Sequence, residues 1–230
     1  MMRVVLVTGA NRGIGRELAR QLALGGDTVI LTARELAKAE QTAAALPGRE
    51  RVLARRLEVT DPATIAQVAA DLDRRYGRLD VLVNNAAIHY DTWQQASAAD
   101  LQIVREALEV NLLGAWQTSL TLLPLLRASG HGRIVNVSSE AGSLASMDGG
   151  TPAYSVSKAA LNALTRMLAG ELRRDRILVN AVCPGWVATD MGGPGGRPVA
   201  EGAASVLWAV DLPDGGPTGG FYRDGHPLPW

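Results

Sequence analysis

The chain has 230 residues, 47% of them hydrophobic, and its 23 Lys and Arg are matched by 23 Asp and Glu. That length suits one α/β domain with a substantial core and is cramped for two. The balanced charge removes the electrostatic reason for a nucleic-acid or membrane partner, and no stretch approaches the roughly 18 uninterrupted apolar residues of a membrane span, so a soluble chain acting on a small molecule is expected.

From the N-terminal side, Val4–Val7 is too short for a signal-peptide core and reads as a first strand. Further β-branched runs follow at Thr28–Thr32, Val52–Leu57, Val81–Val83, Arg133–Val137 and Leu178–Val182. They alternate with helix-like segments and are continuously apolar, which predicts a central parallel sheet of about seven strands with helices on both faces, a single doubly wound α/β domain over 1–230. Arg16–Leu24 has helical spacing, Asp61-Pro62 is an N-cap with proline at the first helical position, and Ser97-x-x-Asp100 reads as a capping box. The longest helical readings are 101–128 and 153–172. Gly192–Gly196 and Asp214–Gly220 read as mobile loops. The first lies just beyond Pro184-Gly185, so the region 188–202 is expected to form a short substrate lid or a surface connector. Cys183, the single cysteine, ends an apolar strand and reads as a buried small hydrophobe; with no disulfide partner and no cluster of metal ligands near it, a reducing cytoplasm and no metal are expected.

The first strand runs into Thr8-Gly9-Ala10-Asn11-Arg12-Gly13-Ile14-Gly15 and then into a helix. Glycines there let the backbone turn sharply and approach a pyrophosphate, which meets the free N–H groups and positive end of the helix. At the end of the second strand, where a carboxylate would select the ribose 2′-hydroxyl of NAD(H), the sequence has Leu31-Thr32-Ala33-Arg34. Arg34, with Arg12 from the glycine turn, can pair with a 2′-phosphate, and NADP(H) is the expected cofactor; Glu35 would blunt the preference if it faced the ribose.

Tyr154-Ser155-Val156-Ser157-Lys158 puts a phenol and an ammonium one helical turn apart on one face. A free tyrosine has a pKa near ~10, so acid–base work close to neutrality requires a fall of roughly 3, or about 4 kcal/mol.

In this order, Thr8–Gly15, Asn84-Asn85-Ala86-Ala87, Asn111, Ser138-Ser139, Tyr154-x-x-x-Lys158 and Pro184-Gly185 resemble the short-chain dehydrogenase/reductase family, from residue 3 to the C-terminus. The strings Asn11-Arg12, Thr32-Ala33-Arg34 and Cys183-Pro184-Gly185-Trp186-Val187-Ala188-Thr189-Asp190-Met191 are similar to its carbonyl-reductase branch. The resemblance implies a Rossmann-like fold and NADPH-dependent reduction of a ketone or aldehyde to an alcohol. It implies that Tyr154 exchanges a proton with the substrate oxygen, that Lys158 lowers its pKa and holds the nicotinamide ribose, and that Ser139 hydrogen-bonds the carbonyl. Asn111 would hold a water linking Lys158 to solvent. Asn85, Ala86, Ala87 and Val110 would line the cofactor, Pro184, Gly185, Trp186, Val187 and Thr189 would meet its nicotinamide end, and Glu58 with Val59 its adenine.

The substrate side is assigned to Ser139, Glu140, Trp186 and Met191. Trp186 is read as a pocket wall or as lid packing, and Met147 and Met191 as adaptable contacts or filler. His89 and Tyr90 follow the Asn84–Ala87 turn, within reach of substrate, and for the lone histidine a solvent contact is the favored reading. Ala87 stands where many relatives have glycine, and Glu58 where an aspartate is usual. Ser139 and Tyr154 are fifteen positions apart, slightly more than usual, so the loop 140–153 is expected to project over the pocket. No long insertion precedes Tyr154, which leaves helices 101–128 and 153–172 free for the family's usual dimer or tetramer interface. Two other readings stay open: an NADP-sensing regulatory protein without catalysis, and an alcohol dehydrogenase working oxidatively.

Overall fold

The computed structural model describes residues 2–230. Seven parallel strands and one antiparallel strand form a single sheet in the order β3-β2-β1-β4-β5-β6-β7-β8. The strands are β1 (Val4–Val7), β2 (Thr28–Ala33), β3 (Val52–Arg56), β4 (Val81–Asn84), β5 (Arg133–Val137), β6 (Leu178–Val182), β7 (Phe221–Arg223) and β8 (His226–Pro227). Strand β1 is in register with β2 on one side (Val5 opposite Val29) and β4 on the other (Val5 opposite Val81).

The apolar runs are continuous because both sheet faces are covered. Val5 and Val7 enter a core layer with Leu18, Ala39 and Val206, from helices α1 (Gly13–Leu24), α2 (Leu36–Ala45) and α7 (Val199–Val210). Val4 and Leu6 point the other way, into a layer with Ile65, Leu122 and Leu161, from α3 (Pro62–Tyr76), α5 (Ala115–Ser129) and α6 (Pro152–Glu171). Two faces of one strand thus feed two cores.

Helix α3 starts as its sequence predicts, with Asp61 accepting from the Ala63 N–H at 3.0 Å and Pro62 at the first position. The reading at Ser97-x-x-Asp100 needs correction. Ala96–Ala98 is a separate 3-10 turn, and Asp100 is itself the N-cap of α4 (Leu101–Leu108), accepting from the Gln102 N–H at 2.8 Å. The expected helix 101–128 runs through as α4, a π-helical turn over Glu109–Gly114, and α5.

Three loop expectations also change. Segment 214–220 is laid along β6: Gly219 N–H donates to Val179 O at 2.7 Å, and Asn180 bonds Pro217 O and the Gly220 N–H. The loop beyond Gly185 closes on itself through paired backbone at Val187 and Arg197 and at Thr189 and Gly193, and residues 199–202 are the first turn of α7 rather than lid. The loop after Ser139 does not project over the cleft. Its Ser143 hydroxyl donates to Pro229 O at 2.9 Å and its Ala145 N–H to Trp230 O at 3.0 Å, which draws it toward the chain's last residues.

Candidate active site

Parallel strands deliver their C-terminal ends to one edge of the sheet, and the strand order reverses between β1 and β4, which opens a crevice there. A cleft of about 700 Å³ occupies it. The turn after β1 forms one wall and the turn after β4 another, and the two are bonded together. Thr8 Oγ1 accepts from the Asn85 and Ala86 N–H groups at 2.9 and 3.0 Å, and Asn85 Nδ2 donates to Thr8 O at 2.8 Å.

Two glycines make this approach possible. Gly9 has φ +62°, and a Cβ on it would sit 3.0 Å from Ala86 Cα. A Cβ on Gly15 would lie 2.5 Å from Asn85 Nδ2. Beyond them, α1 begins with no side-chain cap and no acidic residue in its first turn. Its leading N–H groups therefore present the positive end of the helix to the cleft, a site suited to a phosphate group.

Arg34 and Lys38 line the wall beyond β2, and Lys38 pairs with Glu35 at 2.6 Å. Lys38 is a cation that the sequence reading missed; its signal was its position one helical turn beyond Arg34. Arg12 reaches across the cleft to Asp190 at 3.2 Å. Glu58, Val59 and Val110 line the same cleft. Of the residues expected at the cofactor, Gly185, Trp186 and Val187 lie off the cleft wall. Gly185 makes a left-handed turn at φ +78° against Arg197. Trp186 is 63% exposed and donates its indole N–H to Gly192 O at 2.7 Å, so it props the lid instead of walling the pocket. Val187 is buried against Gly202 of α7.

Tyr154 and Lys158, on α6, close the other end of the cleft, with the Lys158 Nζ 5.5 Å from the center of the Tyr154 ring. Lys158 is 2% exposed and donates to Val137 O at 2.8 Å. Burial pulls its pKa down from 10.5 to about 8. Burial also pushes the Tyr154 phenol well above its ordinary range, with the neighboring Cys183 adding to the rise and the Ser139 hydroxyl opposing it. The depression expected of Tyr154 is thus absent from the protein alone, because desolvation outweighs the hydrogen bond from Ser139.

Asn111 sits in the π-helical turn, buried, with its carboxamide fully engaged. Its oxygen accepts from the Ile88 N–H at 2.8 Å, and its nitrogen donates to Ile88 O and to Ser157 Oγ at 3.1 and 3.0 Å. Glu140 is turned aside into an ion pair with Arg223, and its N–H donates to Cys183 Sγ at 3.3 Å. Neither it nor any other residue of 140–153 lines the cleft, whereas Met191 does. Tyr90 packs edge-on to Tyr154, with ring centers 5.2 Å apart. His89 bonds Glu106 at 2.8 Å.

A doubly wound sheet with a glycine turn and an uncapped helix at its switch point defines a Rossmann-like nucleotide-binding class of domain. The family profile described as short chain dehydrogenase matches residues 3–197. The chain is 32% identical to salutaridine reductase of Papaver bracteatum, over 96% of this chain and 94% of that one. It is 34% identical to the NADPH carbonyl reductase 1 of Sus scrofa, over 99% and 94%. The solved structure of an NADPH-bound carbonyl reductase from chicken fatty liver superposes with a TM-score of 0.90, at 32% identity over 100% of this chain and 99% of that one. The chain belongs to the short-chain dehydrogenase/reductase family of oxidoreductases, with its likeness running to the carbonyl-reductase branch.

Proposed function

We propose that the chain is an NADPH-dependent carbonyl reductase in which Tyr154 is the proton donor. The observation that carries this reading is a phenol held neutral by burial, one helical turn from a buried ammonium, at the end of a cleft whose other end is a glycine turn flanked by cations. A proton donor must hold its proton until the substrate oxygen becomes basic, and a raised pKa keeps Tyr154 in that state throughout the neutral range.

The residues present fit NADP(H). The first turn of α1 supplies free N–H groups for the pyrophosphate, and Arg34, Lys38 and Arg12 are the cations for a 2′-phosphate. Glu58 and Val59 line the adenine side, and Lys158 the nicotinamide ribose. The chemistry that NADPH would supply when bound is a hydride for the carbonyl carbon. Tyr154 Oη then gives its proton to the carbonyl oxygen, with the Ser139 hydroxyl beside it to orient that oxygen. Lys158, buried and poised near neutrality, holds the positive charge that steadies the phenolate left behind.

The apolar side chains beside Tyr154 and along the cleft, Tyr90 and Met191 among them, suit an aromatic or alicyclic ketone or aldehyde. We also assign the chain to homo-oligomers through α5 and α6, where Leu120 and Met167 are 50% and 63% exposed, and to a reducing cytoplasm, which suits the free Cys183. The functional test is NADPH oxidation across a carbonyl panel. Tyr154→Phe should lose turnover by at least about a hundredfold while still binding NADPH; unchanged turnover refutes the role of Tyr154.

A further inference from the structure

We propose that Asp91 is a positioning residue for Tyr154, fixing the first turn of the helix that carries it and the aromatic ring that packs against it. This rests on the reading of Tyr154 as proton donor.

Helix α6 begins in an unusual way. Its N-cap, Thr151, is in the left-handed region at φ +46° and offers no side-chain cap, and Pro152 follows at the first position with no N–H to give. The first N–H groups that need acceptors are those of Ala153 and Tyr154. Both are taken by one carboxylate from sixty residues upstream: Asp91 Oδ2 accepts from Ala153 N–H at 2.9 Å, and Asp91 Oδ1 from Tyr154 N–H at 3.0 Å. Asp91 is 0% exposed. A negative group fully removed from water is costly unless hydrogen-bonded, and here it meets two backbone donors at the positive end of a helix.

The carboxylate is itself held. Gln94 Nε2 donates to Asp91 Oδ2 at 3.0 Å, while Gln94 Oε1 accepts from the backbone N–H of Asp100, the N-cap of α4. At the other end of the same loop, Asn111 grips both backbone groups of Ile88. The loop 88–94 is therefore a strut between the π-helical turn and the start of α6. Tyr90 lies between its two anchors and packs edge-on to the Tyr154 ring. A displacement of the reacting group of about 1 Å is enough to cost roughly a hundredfold in rate, and this strut sets where the phenol stands.

Asp91→Asn isolates the effect because it keeps shape and removes one acceptor: the new amide N–H₂ must face a backbone donor or the donor of Gln94. Amide exchange on the cofactor-free protein, NADPH titration and turnover per bound NADPH should be measured for wild type, Asp91→Asn, Gln94→Ala and Tyr154→Phe. Asp91→Asn is expected to exchange at least about tenfold faster over residues 152–158, with the other helices unchanged. NADPH affinity should hold, and turnover per bound site should fall by roughly ten- to a hundredfold. Gln94→Ala should show the same division more weakly. Unchanged exchange overturns the proposal, as does faster exchange with undiminished turnover per site, which would make Asp91 a structural cap only. A loss of turnover that merely follows lost NADPH sites also overturns it. If Tyr154→Phe turns over like wild type, the underlying reading fails and the proposal with it, a result told apart by the control and not by the Asp91 variant.

Discussion

Replacing Lys158 with methionine should make the cofactor-free protein more stable near neutrality while removing its activity. The ammonium is 2% exposed, and burial takes its pKa from 10.5 to about 8. Between those two values the unfolded chain holds a proton that the folded chain has released, so stability rises with pH through that window. Below about pH 8 both states are protonated and the folded state bears the whole cost, roughly 3 kcal/mol at about 1.4 kcal/mol per pKa unit. Losing the hydrogen bond to Val137 O returns about 1 kcal/mol of that, leaving Lys158→Met about 2 kcal/mol more stable than wild type at about pH 7. Tyr154, with its pKa pushed upward by burial, keeps its proton in both states below about pH 10 and does not enter. Urea unfolding of both proteins at about pH 7 and about pH 9.5 reads the difference: wild type should gain about 2 kcal/mol on the variant across that interval. Parallel pH dependence in the two proteins would show that the buried lysine is not titrating below its ordinary value.

Arg34→Glu should weaken NADPH binding by about 2 kcal/mol, the scale of a charge-assisted hydrogen bond, and bring the preference toward NADH; fluorescence titration with both cofactors checks it, and an unaltered ratio counts against the 2′-phosphate assignment. Gly15→Ala would press a methyl within 2.5 Å of Asn85 Nδ2 and 2.9 Å of Ala10 Cα, so a loss of about 1–3 kcal/mol is expected by thermal or urea unfolding, with NADPH affinity falling as well. Light scattering should give at least a dimeric mass, and Leu120→Lys with Met167→Lys should reduce it; a monomeric wild type would leave those exposed side chains without the assigned role.

The sheet was largely legible because strands buried on both faces are apolar at most positions: Thr28–Ala33 and Leu178–Val182 are buried throughout and are broken only by Thr28, Thr32 and Asn180. Strands β7 and β8 were not, since Phe221–Arg223 is three residues long in a glycine-rich stretch. The π-helical turn at Glu109–Gly114 left no mark on the apolar spacing of 101–128. At the cleft, the glycine turn and the Tyr154–Lys158 pair are local patterns, each weak by itself, and their order along the chain with the other motifs of the resemblance is what marked them as a site. Asp91 was invisible, and the contact of Tyr90 with Tyr154 unforeseen, for the opposite reason: both lie in contacts between segments sixty residues apart, which no spacing encodes. The choice between pocket wall and lid packing at Trp186 was not legible, because the left-handed turn at Gly185 carries it to the outside and a pattern that names an aromatic does not say which way it faces. The upward shift at Tyr154 was missed because spacing reports a neighboring charge and is silent about lost water.

The place of β1 in the middle of the sheet has a consequence for how the chain is made. Val4–Val7 is wholly apolar, and one of its edges pairs with β2 early, but the other has no partner until β4 arrives more than seventy residues later. During synthesis an oily strand with an open edge must wait, and such an edge invites pairing with foreign chains. The yield of the protein on overexpression should therefore depend on how quickly translation delivers the fourth strand.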